Sequence, residues 1–309
     1  MEKTALIIYH RVDYDGIFSY CIVRKFLEQQ PEYTSISGLG YTYGDNLPEL
    51  SEIVKYNTIF ILDLGFSPEN MIALKNCGRE IVWLDHHETH IENSKKYNYQ
   101  DIPGERKIGI GACEICWKYL YKKEKLPTII QCLSLYDVWN KNTLNWDSLV
   151  YPLQLGLKSR YSTNAQKIWR DWDLGKFLVG SFFTELVRDG QLISKYEKLR
   201  NMSQVRCYSF PVGVAGKYQG VAMLTTNFTS TIFESLSRKY KIFICLNMKQ
   251  GDLNHFMMSM YCDPGSIDLN LGEYLIQKYG VSRAGGHACS CGTSLTLDEF
   301  IDIITTKKV

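Results

Sequence analysis

"IVWLDHHETH", residues 81–90, places Asp85, His86 and His87 where an apolar run ends. Three titratable groups there are costly to desolvate unless something pairs with them. What the rest of the chain brings to that strand end decides what they do. "EIVWLD" (80–85) is the third of three short apolar strands, after "TALIIY" (4–9) and "TIFILDL" (58–64). Between them lie two helices. "IFSYCIVRKFLEQQ" (17–30) carries Phe18, Ile22 and Phe26 at helical spacing. "SPENMIALKNCG" (67–78) has Ser as its cap, Pro at its first position and Gly just past its end. Strands alternating with helices predict an α/β fold with a parallel sheet covered on both faces.

Further helices are expected near 109–123 and 127–136, and the Trp- and Tyr-rich region 145–205 reads as helical but less regular. From about 206 a smaller α/β unit begins. Its strands are "VAMLTT" (221–226), "KIFICLNM" (241–248) and "HFMMSMY" (255–261), and its helices are "STIFESLSRKY" (230–240) and "DLNLGEYLIQKYG" (268–280). The expected organisation is a first domain over 1–150, a helical linker over 151–205 and a second domain over 206–309.

A chain of 309 residues can build two cores. Its net charge of +2 shows no global basic bias, so any hold on a polyanion must be local. No apolar stretch reaches the roughly 20 residues of a membrane span, and the first residues lack a signal-peptide core. The ten cysteines are scattered, several in apolar segments, as in a reduced cytoplasmic protein. Cys113 and Cys116 form a CxxC that reads as two small apolar residues on one helix face, and "ACSC" (288–291) is no stronger as a metal or redox signal.

In an open parallel sheet, ligands bind beyond the carboxyl ends of the strands. The first strand ends in "YHRVDYDG", with His10, Asp13 and Asp15; the second ends at Asp63; the third ends at Asp85, His86 and His87. "SLYDVWN" adds Asp137 after a helix. Asp13 and Asp15 are two apart, so in extended chain both face one side, and Gly16 then allows a tight turn into the helix. Four carboxylates so close would repel, and some would take protons. Two divalent cations balance four such charges, with Asp63 as the bridge between them. Mixed Asp and His ligands suit Mn²⁺ better than Ca²⁺, and the absence of cysteine argues against structural zinc.

"HRVDYDG", "LDLG", "LDHH" and "LYDVW", in this order and spacing, resemble the four motifs of the DHH phosphoesterase superfamily. "RAGGHACSCG" (283–292) resembles the GGH motif of that superfamily's associated C-terminal domain. The resemblance implies one Mn²⁺ held by His10, Asp13 and Asp63 and a second held by Asp15, Asp63, His86 and Asp137, with Mg²⁺ or Co²⁺ as substitutes. It implies a catalytic role beside the metals for Asp85 and His87, orienting ligands or contacting the phosphate. Gly285, Gly286 and His287 would receive the nucleotide across an interdomain cleft. The chain departs from the family in having Cys289, Ser290 and Cys291 where small residues usually follow the GGH. It also lacks a basic residue in "MMSMYCDPG", for which Arg283 stands as the substitute. The implied activity is that of the nanoRNA-degrading members: hydrolysis of short single-stranded RNA or DNA, or of dinucleotides, from an end. A phosphohydrolase of cyclic or linear dinucleotides or of nucleoside bisphosphates, and a non-catalytic nucleic-acid-binding module, are the alternatives. The sequence leaves a homodimer open.

Overall fold

The computed structural model describes residues 2–305 except 44, 144, 227–231, 234, 235, 237, 238, 250, 251, 281 and 282. It divides into two compact units, Met1–Ser194 and Lys195–Val309. The first unit contains β1 (Lys3–His10), α1 (Tyr14–Glu28), β2 (Tyr33–Tyr41), α2 (Leu50–Ile53), β3 (Thr58–Leu62), α3 (Pro68–Lys75), β4 (Glu80–Leu84) and α4 (Glu88–Lys96). It continues through α5 (Ala112–Leu120), α6 (Thr128–Asp137), a π-helical turn Trp146–Val150, α7 (Tyr151–Tyr161), α8 (Ala165–Asp173) and a 3-10 turn Lys176–Leu178 into α9 (Gly180–Tyr208).

The four strands run parallel in the order β2-β1-β3-β4. Alternation along β1 builds two cores. Ala5 and Ile7 pack with α1, α5 and α6, while Leu6 and Ile8 pack with Ile53, Met71 and Leu74 on the opposite face. Both faces are covered, as expected for a parallel sheet. α3 has the predicted ends: the Ser67 hydroxyl accepts from the Asn70 N–H at 3.3 Å, Pro68 opens the helix, and Gly78 has φ +73.

Strand β2 has no counterpart among the sequence-predicted strands. It is an edge strand, largely half-exposed, and its "YTSISGLGY" has no apolar run. Gly38 is required there, since a Cβ would lie 2.5 Å from the Tyr20 ring of α1. The segment expected as a linker from 151 is helical, but Leu153, Leu157, Ile168, Trp172, Phe177 and Leu186 are buried in the same core as α1. The division at Ser194 therefore falls inside α9 rather than at 150.

The second unit contains β5 (Ser209–Val214), β6 (Tyr218–Leu224), β7 (Ile242–Lys249), β8 (Asp252–Cys262), α10 (Leu271–Tyr279), β9 (Ala284–His287), β10 (Ser290–Thr296) and α11 (Leu297–Thr305). Its sheet order is β5-β6-β7-β8-β10-β9, with β6 and β7 parallel and the other pairs antiparallel. The predicted strands correspond to β6, β7 and β8. The predicted helix 230–240 lies largely outside the described residues. α10 starts on Asn270, whose side chain accepts from the Glu273 N–H, and ends at Gly280 with φ +86. All ten cysteines are free, and no described helix is long and apolar enough to cross a membrane.

Candidate active site

In the order β2-β1-β3-β4 the direction of strand addition reverses between β1 and β3, and a crevice opens at the carboxyl ends on either side of such a switch. His10 closes β1 and Asp63 follows β3 directly, so both stand at that point. Asp63 is buried with φ +58, a left-handed conformation uncommon for a side-chain-bearing residue. Such local strain persists where the surroundings over-determine it, often at functional sites. Its backbone N–H is tied to the Leu84 carbonyl of the next strand at 3.0 Å. The two carboxylate oxygens then serve different neighbours. Oδ2 lies 3.7 Å from His10 Nδ1, and Oδ1 lies 3.2 Å from His86 Nε2.

Asp13 and Asp15 do not share an extended chain, as their spacing predicts, because α1 begins at Tyr14. Asp13 is the helix cap: Oδ1 accepts from the Gly16 N–H at 2.9 Å, while Oδ2 lies 2.8 Å from His10 Nδ1. Asp15, one residue into the helix, is buried and turns the other way, accepting the Ala112 and Cys113 N–H groups at 2.6 and 2.9 Å. These are orphan donors at the N-terminus of α5, whose dipole favours an anion. Gly111 makes the approach possible, since a Cβ there would stand 2.8 Å from Asp15 Oδ1 and 2.9 Å from Ser134 Cα. Gly16 serves close approach in the same way: a Cβ would lie 2.0 Å from the His10 carbonyl oxygen. Asp137, the last residue of α6, reaches within 3.1 Å of His86 Nε2, and Asp15 within 3.8 Å of the same nitrogen.

Four groups of candidate ligands result, each with ligand atoms within 4.8 Å of one another: His10–Asp13–Asp63, Asp15–His86–Asp137, Asp63–His86–His87 and Asp85–His87–His90; the first two are the sets that the sequence motifs imply. Asp63 also touches the second set through Oδ1. His10 Nδ1 and Asp63 Oδ1 are buried with no well-directed hydrogen bond, an arrangement that protein groups alone leave unsatisfied. Burial, then the charges of Asp63 and Asp137, push the Asp15 carboxyl up, and burial raises Asp63 as well. Burial opposes the charged imidazole of His10, yet Asp13 and Asp63 prevail and push it up to about 10; Asp137 and Asp63 likewise push His86 up to about 11. Carboxylate oxygens and imidazole nitrogens without thiolate suit a hard or borderline divalent ion.

Asp85 has a different place. It is fully buried, and Oδ1 accepts from the His86 N–H at 2.8 Å and the His87 N–H at 3.3 Å and meets His87 Nδ1 at 2.7 Å. Oδ2 meets His90 Nδ1 at 2.7 Å. Both oxygens are thus committed, and burial is outweighed by the two imidazoles, which hold the carboxyl below the usual carboxylate range. Asp85 thus joins the two residues that follow it to His90 on α4. His87 has Nδ1 on Asp85 and a side chain about a third exposed. His90, to which the sequence motifs assign no role, is seated on Gly65, where a Cβ would stand 2.9 Å from its Cγ. Its position five residues after Asp85, at the start of α4, is the available signal.

In the second unit, Gly285 and Gly286 lie on the edge strand β9. Gly285 has open space where a Cβ would be; Gly286, at φ +130, would bring one within 2.5 Å of Cys291 Cα. The side chain of His287 lies outside the described residues. Arg283 is joined to two elements of the second unit. Its Nη1 and Nη2 bond both carboxylate oxygens of Glu299 at 3.1 and 2.8 Å, and its Nε bonds the Tyr279 carbonyl. It ties α10 to α11.

Residues 4–136 match the family described as DHH family, N-terminal domain. No curated protein matches the chain in sequence. Among solved structures, the pGpG-specific phosphodiesterase PggH from Vibrio cholerae is similar at a TM-score of 0.57 and 14% identity, over 96% of this chain and 95% of that one. The DHH domain of a protein described as a member of a family of ribosomal proteins is similar at 0.56 and 14%, over 94% and 82%. His10, Asp13, Asp15, Asp63 and the Asp85-His86-His87 triplet lie inside the matched segment, and Asp137 one residue beyond it, so the region that brings acids and imidazoles to the strand ends is similar to the DHH family N-terminal domain.

Proposed function

We propose that the chain is a Mn²⁺-dependent phosphodiesterase that hydrolyses short oligonucleotides from an end to mononucleotides. The observation that carries this reading is the division of the Asp63 carboxylate between two ligand sets. The fold likeness to a phosphodiesterase specific for pGpG supports a small linear nucleotide as the substrate class. Two divalent ions, when bound, supply the charge that acidifies water and offsets negative charge on phosphoryl oxygens.

The residues of the chain do the rest. His10, Asp13 and Asp63 would hold one ion, and Asp15, Asp63, His86 and Asp137 the other. Asp15, pinned to the N-terminus of α5, and Asp63, pinned to β4, keep the two sets at a fixed separation. Asp85 holds the His87 ring by its Nδ1, so Nε2 can give a proton to a phosphoryl oxygen or to the departing ribose oxygen. In the second unit, the open edge of β9 at Gly285–Gly286, where alternate backbone N–H groups face away from β10, would offer a donor to a terminal phosphate or sugar. A hold on one terminus favours stepwise release of mononucleotides.

Chromatography of products tests the reading. The full chain with Mn²⁺ is given di- to pentaribonucleotides, including pGpG, beside a long single-stranded RNA, cyclic dinucleotides and an Asp63→Ala control. Mononucleotides from the short linear substrates, absent in the control, are expected. Cleavage of cyclic dinucleotides alone would replace the substrate class and keep the metal site, and no cleavage of any substrate would overturn the reading.

A further inference from the structure

Tyr43 lies beyond the end of β2, on the sheet edge that carries the ligand sets, and no step of the proposed hydrolysis uses it. Its hydroxyl is 3.2 Å from His90 Nε2. Its ring centroid lies 5.7 Å from that of His10, 6.0 Å from that of His90 and 6.5 Å from that of Tyr41. The residue is nevertheless 52% exposed. A tyrosine whose polar end is fixed inward and whose ring is half in solvent presents aromatic surface at constant orientation.

The support behind that ring is continuous. Asp85 holds His90 through Oδ2, Gly65 gives His90 room, and His90 holds Tyr43. The same carboxylate orients His87 through Oδ1, so one buried acid sets both a candidate proton donor and an exposed aromatic ring. Burial and the Asp85 charge keep the phenol protonated, so the ring brings no negative charge toward an incoming phosphate.

We infer that Tyr43 is a stacking platform for the nucleobase attached to the phosphate held at the cluster, and that His90 is the positioning residue that fixes it. The inference rests on the nucleotide-hydrolase reading. Its basis is the separation of one ring width between Tyr43 and His10, which leaves a phosphate at the ligand sets and its base over the tyrosine within one ribose of each other. Every base offers a π face, so the platform adds affinity without choosing among bases.

Calorimetric titration with Mn²⁺ present, using GMP and ribose 5-phosphate, separates the base from the phosphate. The wild-type chain is expected to bind GMP about tenfold more tightly than ribose 5-phosphate, within the range for one stacked base. Tyr43→Ala should bring the ratio close to unity with ribose 5-phosphate affinity unchanged, which also reports an intact fold and metal site. Tyr43→Phe should keep a ratio above that of Tyr43→Ala because the ring remains. His90→Gln should lower the ratio by less than Tyr43→Ala. A wild-type chain that binds the two ligands equally, or binds neither, overturns the platform; so does an unchanged ratio in Tyr43→Ala, or a Tyr43→Phe chain indistinguishable from it. Equilibrium binding is read without turnover. Hydrolysis of short RNA with a flat ratio would overturn the platform alone, and an intact ratio without hydrolysis would overturn the functional reading alone.

Discussion

Two regions of the first unit bury carboxylates and treat them in opposite ways. At the strand ends, Asp15 and Asp63 are pressed against other acids, their carboxyls are pushed up, and Asp63 Oδ1 has no well-directed hydrogen bond. In the helical layer, Asp171 of α8 is also buried but fully partnered: Tyr161 Oη donates to Oδ2 and Lys176 Nζ to Oδ1, both at 2.8 Å. Burial alone would raise the Asp171 carboxyl, but Lys176 and Tyr161 hold it below the usual carboxylate range. A buried acid that the fold has satisfied belongs to the scaffold. One that the fold leaves short of positive charge is built for something the chain does not contain. Asp85 stands between the two kinds, satisfied by His87 and His90 yet bonded to the site.

The largest effect is expected where satisfaction is poorest. Asp63→Asn should lower turnover of a short oligonucleotide at least about 10³-fold, since it removes the group shared by both ligand sets. The same substitution should leave the melting temperature of the metal-free chain undiminished, because it removes a buried charge that has no adequate partner. Addition of Mn²⁺ should raise the melting temperature of the wild type and not of the variant. A variant that still turns over, or that melts far below the wild type without metal, would place Asp63 with the scaffold acids.

Asp85→Asn should lower both properties together. An amide cannot accept from His87 and His90 at once with both oxygens, so kcat/KM should fall about 10- to 100-fold, the range for partners that orient metal-site groups. Thermal or urea unfolding should show a loss of about 1–3 kcal/mol, because the amide keeps one acceptor oxygen and leaves one of the two buried imidazole contacts unmet. Loss of activity with unchanged stability would show that the carboxylate acts on the reaction directly.

The same distinction sorts what could be read from the sequence. β1, β3 and β4 are short apolar runs because both sheet faces are buried, and the acids and histidines ending them are visible by type and position. The caps of α3 and α10 are equally legible. β2, β5, β9 and β10 are not, since half-exposed or glycine-bearing strands carry no run of apolar residues. Within the site, the sequence yields which residues assemble but not how each is held. Asp15 depends on Gly111, nearly a hundred positions later, and His90 depends on Gly65 and Tyr43. Arg283 looks free for a phosphate in the sequence because its partner Glu299 arrives only when α11 packs beside α10. Long-range pairings of this kind have no local pattern.

The smallest effect belongs to the satisfied acid, and pH gives it a signature. Asp171 has a lower pKa in the folded chain than in the unfolded one, so folding favours its ionised form. Its contribution is therefore fully present above the unfolded carboxylate value near 3.8 and declines as pH falls through the lower folded value. Asp171→Asn should cost about 1–2 kcal/mol at neutral pH, the scale of a charge-assisted hydrogen bond, and leave turnover unchanged. Denaturation of wild type and variant at descending pH should converge below the usual carboxylate range. A difference that persisted undiminished into acid would mean that Asp171 acts through shape and not through charge. A fall in turnover at neutral pH would mean that the helical layer over 151–187, whose side chains share a core with α1, transmits strain to Asp13 and Asp15 at the start of that helix.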